Sequence, residues 1–204
     1  ATYKDAEGWY YTLTGKHKES LACYLSALKL AEKCGRPLLT ANILRDVSNA
    51  YSNLGMYDKA AEYNLQSIRL YREIGSRNAL LNEITALGNL AIVYLHSGHY
   101  QNGIDACLRV ITLFDSIKSS YPEDKAGVLN TLGSIYWRTD RPREAVRSYF
   151  DAVQLTKQNN IMPHYFVYMG NLAAFLSQVD TLDLGGKEIG DNRKSVDIAL
   201  GYME

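Results

Sequence analysis

Apolar residues recur along this chain at helical rather than strand spacing. From Ala41 to Leu54, the residues Ile43, Leu44, Val47, Ala50, Tyr51 and Leu54 form an i, i+3, i+4, i+7 stripe, which lies on one face of an α-helix. From Tyr57 to Ile74 the stripe resumes through Ala60, Ala61, Leu65, Ile68, Leu70 and Tyr71. Gly55 separates the two stretches and suits a helix end, where positive φ is often needed and glycine adopts it without steric cost. Sustained period-2 alternation is absent, so the pattern predicts helices and assigns no sheet.

The same grammar returns three more times. Tyr11…Gly15-Lys16-His17…Ser20, Tyr94…Gly98-His99-Tyr100…Gly103 and Tyr136…Asp140-Arg141-Pro142…Ala145 repeat the layout of Tyr51…Gly55-Met56-Tyr57…Ala60. Each places a tyrosine four residues before a turn residue and a small residue five after it. The turn residues 15, 55, 98 and 140 are spaced by 40, 43 and 42, a period that indicates stacked supersecondary units. At Asp140 the turn is made differently: Pro142 cannot continue the first helix but fits the first turn of the second. A degraded fifth copy begins at Gly170-Asn171-Leu172-Ala173, echoing Gly88-Asn89-Leu90-Ala91.

Small residues mark where helices cross. One first-helix position reads Gly8, Ser48, Ala91, Gly133 and Ala173, and one second-helix position reads Ser20, Ala60, Gly103, Ala145 and Ala199. Antiparallel helices pack at about 8–10 Å only where side chains leave room. The units therefore predict an all-α solenoid of antiparallel helix hairpins. Five pairs are expected, over 1–34, 38–76, 78–118, 122–159 and 162–204, in one domain spanning 1–204.

Leu132-Gly133…Tyr136, Ala145…Tyr149…Ala152 and Gly15…Tyr24…Ala27 resemble the tetratricopeptide repeat, with its leucine-glycine-tyrosine first helix and alanine-aromatic-alanine second helix. The likeness runs over about residues 2–178. It departs from the family in period, about 42 against the usual 34, as in the long repeats of kinesin light chains and bacterial peptide-pheromone receptors. The first-helix tryptophan is also replaced by Lys4, Leu44, Leu87 and Leu129. The resemblance implies a right-handed superhelix whose first helices line a concave, peptide-binding wall. Eight of the sixteen tyrosines occupy repeat positions, where the ring packs and the hydroxyl reaches solvent.

Composition narrows the function classes. Twenty-two Lys and Arg balance twenty-two Asp and Glu, so the overall basic excess of a nucleic-acid binder is missing. No apolar run reaches the roughly 18 residues that span a bilayer. Cys23, Cys34 and Cys107 have neither zinc nor disulfide-framework spacing and read as small buried or half-buried hydrophobes, which favours a cytoplasmic setting without fixing the compartment. Catalytic elbows, zinc helices and dinucleotide fingerprints are absent. Gly185-Gly186-Lys187 is followed by Glu188 rather than Ser or Thr, so it is no phosphate loop. Residues 180–191 read as a loop, Lys194 to Glu204 as a second helix. The repeat grammar at both ends suggests an excerpt of a longer chain or a self-associating one.

The expectation is therefore a non-catalytic module without cofactor or metal. It would bind a peptide or protein segment as the sensory or docking part of a larger regulator, with self-association as the alternative. From the resemblance, the concave wall would present Trp9, Arg45, Asn49, Asn53, Asn89, His96, Asn130, Trp137, Arg138 and Asn171. Asparagine both donates to and accepts from an extended backbone, and Arg45 and Arg138 would pair with a carboxylate. Trp9 and Trp137 would be anchors. The lysine-asparagine-lysine-arginine carboxylate clamp of chaperone-binding relatives has no full counterpart.

Overall fold

The computed structural model describes residues 1–117 and 121–178, together with the backbone of residues 181–183 and 188–190. Among these, nine helices follow in order: α1 (Thr2–Leu13), α2 (His17–Lys33), α3 (Pro37–Asn53), α4 (Tyr57–Ile74), α5 (Arg77–Ser97), α6 (Tyr100–Ser116), α7 (Pro122–Arg138), α8 (Pro142–Gln158) and α9 (Met162–Leu176). The chain divides into two compact units, Ala1–Ala106 and Cys107–Glu204.

Helix boundaries follow from local chemistry. All four prolines begin helices, with Pro37, Pro122, Pro142 and Pro163 in the first turns of α3, α7, α8 and α9. There the missing N–H costs no intrahelical bond. Ser76 caps α5 by accepting from the Ala79 amide at 3.1 Å, satisfying one of the orphan donors of a helix start. The repeated tyrosine closes the other end. The Met56 amide donates to the Tyr51 carbonyl and the Arg141 amide to the Tyr136 carbonyl, each at 2.9 Å. This wrap needs one left-handed residue, which is Gly55 at φ 72° and Asp140 at φ 54°.

In the first unit α1 packs on α2, α2 on α3, α3 on α4 and α4 on α5. Its core gathers Leu28, Ile43, Val47, Tyr51 and Val93 around Ala27, Ala31, Ala50 and Ala60. Val47 and Ile43 are fully buried, and each such side chain contributes about 1.5–3 kcal/mol. In the second unit α7 packs on α8 and α8 on α9, around Ile135, Tyr149, Val153, Leu172 and Phe175. Eight of the ten small positions are buried. Ala173 is half-buried, and Ala199 lies outside the described residues. Polar small residues do double duty: Ser48 donates to the Ala60 carbonyl and Ser67 to the Ala41 carbonyl, both at 2.8 Å. These bonds tie α3 to α4 while satisfying buried hydroxyls.

The loop reading of 180–191 needs correction. Thr181–Asp183 and Glu188–Gly190 form an antiparallel pair, with Leu182 opposite Ile189. The segment is too short for the period-2 pattern to declare itself. Gly185-Gly186-Lys187 and the expected helix of 194–204 lie outside the described residues. The cysteine reading holds for Cys107 (buried) and Cys23 (half-buried), but Cys34 is exposed, because it caps the end of α2. Burial pushes the Cys107 thiol up to about 12, leaving it inert as a nucleophile.

Candidate functional site

The first helices of the first unit share one register. Asp5 and Trp9 on α1, Arg45 and Asn49 on α3, and Thr85 and Asn89 on α5 are i, i+4 pairs, so each pair shows one helix face. Successive pairs stand 40 residues apart. These six residues, with Ala6, Thr12, Tyr24 and Asp46, line a cleft of about 760 Å³. Trp9 stands at its edge, 61% exposed.

The charged groups on the cleft wall are Asp5, Arg45 and Asp46. Arg45 donates through Nε and Nη2 to Asp46 Oδ1, both at 3.3 Å. Burial pushes the Asp46 carboxyl up to about 6; Arg45 opposes the shift and the charge of Asp5 adds to it. Burial likewise raises Asp5, against the pull of Arg45 and of the chain's amino group. Asp5 Oδ1 is shut off from solvent without a hydrogen-bond partner. Behind these groups, Thr12 Oγ1 lies 2.7 Å from Ser20 Oγ and 3.5 Å from the Tyr24 hydroxyl, holding α1 to α2.

The asparagines pair with one another across the repeat. Asn89 Nδ2 donates to Asn49 Oδ1 at 3.0 Å, and Asn171 Nδ2 donates to Asn130 Oδ1 at 2.8 Å. Asn82 Nδ2 donates to Asn42 Oδ1 at 3.3 Å, where the Tyr71 hydroxyl also donates at 2.7 Å. Each amide thus spends a group on its neighbour. The rungs expected to read a bound backbone are also stitches between successive first helices.

The remaining expected residues scatter. Asn53 is exposed and outside the cleft. His96 stacks on Tyr57 with centroids 5.6 Å apart and lines a separate cleft of about 540 Å³ with Met56, Asp58 and Lys59. In the second unit Trp137 is half-buried and meets Phe175 edge-on at 5.6 Å, so it packs rather than projects. Arg138 is exposed at the end of α7. Asp5 and Asp46, absent from the expected set, stand together on the cleft wall. That juxtaposition depends on α1 lying beside α3, although the 40-residue register was legible. No cluster of three metal-type ligands occurs among the described residues, and no described helix is long and apolar enough to cross a membrane.

Two tetratricopeptide-repeat family models match the chain, over residues 9–73 and 128–162. No curated protein matches significantly. Among solved structures, a Podosopora anserina protein of kinesin light chain type with nearly identical TPR-like repeats superposes with a TM-score of 0.75. Its identity is 14%, covering 99% of this chain and 90% of that one. The apo form of RapI gives 0.76 at 12% identity, covering 98% of this chain and 50% of RapI. A STAND signal-transduction ATPase from Pyrococcus horikoshii, with a tetratricopeptide repeat sensor, gives 0.71 at 18%, covering 86% and 26%. The chain spans about half of RapI and about a quarter of the Pyrococcus protein. At such identities the superpositions carry the fold alone. The repeat models, the hairpins closed at Tyr11, Tyr51 and Tyr136, and the shared solenoid fold agree: the chain carries tetratricopeptide repeats.

Proposed function

We propose that this chain is a non-catalytic module that binds a peptide or protein segment along the first-helix wall, as the sensory or docking part of a larger signalling protein. The observation that carries this is the 760 Å³ cleft at Trp9. An exposed indole stands there beside amides that keep spare hydrogen-bonding groups, the mixture of apolar anchor and orienting polar groups that peptide sites use. The sensor role follows the Pyrococcus horikoshii protein, whose tetratricopeptide repeats are its sensor. The test is selection from a library of random linear peptides on the 204-residue chain, followed by titration of the winners. Winners should lose at least tenfold in affinity to Trp9→Ala with unchanged circular dichroism. Winners indifferent to Trp9→Ala would remove this cleft from the function.

A second reading, self-association, is favoured by α1, where Tyr3, Tyr10 and Leu13 are 77%, 59% and 64% exposed. A run of large apolar side chains in water marks a contact surface. Mass measured by light scattering should rise with concentration and fall back in Tyr3→Ser/Leu13→Ser. A constant monomer mass excludes this reading.

A further inference from the structure

We propose that the hairpin of α3 and α4 encloses one ordered water molecule, held by the side-chain amide of Asn64 and the hydroxyl of Ser52. Neither residue lines the first-helix cleft, so the site is separate from the one proposed for a peptide.

Asn64 differs from the other buried polar side chains. Ser20, Ser48, Ser67, Glu83, Ser148 and Thr156 are buried, and each has a hydrogen-bond partner. Asn64 is fully buried on α4, and both its Oδ1 and its Nδ2 lack one. An amide carries N–H donors and a carbonyl acceptor, and shutting both away unpaired is costly. Buried groups of this kind are met by protein or by ordered water.

Two other hairpins show what this place normally holds. Sixteen residues after Gly8 and Gly133 stand Tyr24 and Tyr149, whose rings lie against those glycines. Each phenol hydroxyl then ends beside a hydroxyl of the first helix. Tyr24 lies 3.5 Å from Thr12 Oγ1, and Tyr149 lies 3.0 Å from Ser134 Oγ. In the α3–α4 hairpin Asn64 takes that place, sixteen residues after Ser48, and Ser52 follows Thr12 by forty. Asparagine is shorter than tyrosine by the breadth of the ring, so its amide stops short of the hydroxyl that a phenol would reach. A buried water needs about two to four polar partners. Asn64 Nδ2 donates to it, and half-buried Ser52 accepts from it. Ser48 Oγ spends its proton on the Ala60 carbonyl and keeps lone pairs that accept as well. The water thus stands in for the tyrosine hydroxyl.

The test is oxygen-17 relaxation dispersion of the solvent on the 204-residue chain, which counts waters held longer than the tumbling time and is blind to exchange of hydroxyl protons. Asn64→Leu should lower the dispersion amplitude by that of one molecule per chain. Ser48→Gly/Asn64→Tyr, which rebuilds the pair seen at Gly133 and Tyr149, should lower it equally with unchanged circular dichroism; it decides the matter should Asn64→Leu fail to fold. Ser52→Ala should reduce the amplitude by shortening the residence of the water. The same amplitude in the parent and in the folded Asn64 variants overturns the proposal, and an amplitude indifferent to Ser52→Ala overturns the site as drawn.

Discussion

The ring of Tyr149 lies against Gly133 so closely that a Cβ on residue 133 would stand 2.8 Å from Cδ1 and 2.9 Å from Cγ. Gly8 meets the Tyr24 ring at 2.8 Å in the same way. In both cases the tyrosine follows its glycine by sixteen residues. At that offset in the second repeat Ser48 precedes Asn64, a larger residue on α3 with a smaller one on α4. Gly133→Ala should cost about 1–3 kcal/mol through overpacking, although alanine would gain about 1 kcal/mol in helix propensity. In a Tyr149→Ala background the same change should be neutral or stabilising. Urea titrations of the four-member cycle would read the coupling; additive effects would show that the ring yields freely.

The two tryptophans separate by the same kind of measurement. Trp137 packs against Phe175, so Trp137→Ala should lower stability by about 2–4 kcal/mol. Trp9 is mostly in water, so Trp9→Ala should stay within about 0.5 kcal/mol of the parent while weakening ligand binding. Comparable losses at both sites would make Trp9 a packing residue.

Asp46 makes stability depend on pH. Its carboxyl in the folded chain titrates at about 6, above the ordinary 3.8. The folded state therefore prefers the protonated form, and this contribution is complete below about pH 4 and lost as pH rises through 6. Asp46→Asn removes the titration. Relative to the parent, the variant should gain stability between pH 4 and 7, by about 1–3 kcal/mol at the upper end, in thermal melts. A gain that grew toward acid would contradict the sign.

The amide pair Asn49–Asn89 should show itself as coupling. Asn89→Ala should cost about 0.5–1.5 kcal/mol, and the double Asn49→Ala/Asn89→Ala less than the sum of the singles, since each single change already breaks the 3.0 Å bond. Asn53→Ala, exposed and outside the cleft, should stay within about 0.5 kcal/mol. Chemical denaturation distinguishes the two patterns.

The site was less legible than the scaffold. Trp9, Arg45, Asn49 and Asn89 were expected on the inner wall and do share a cleft. His96 and Asn53 lay on the same first helices, yet they sit beyond the register that the cleft uses. The roles were harder to read than the places. An asparagine that faces a ligand and one that bonds its neighbour forty residues away have the same helical phase, and only inter-helix distance separates them.

What the chain's own order of residues determined is the hairpin. Stripe period, prolines at helix starts, one left-handed residue at each described turn and a small residue at each crossing are local matters, because backbone sterics and helix phase act within a turn or two. What only the folded arrangement decided is the electrostatics of the wall. Asp5 and Asp46 are forty-one residues apart and meet only because α1 packs through α2 beside α3. Their raised carboxyls arise from burial, a property of the packed helices that no stretch of sequence carries alone.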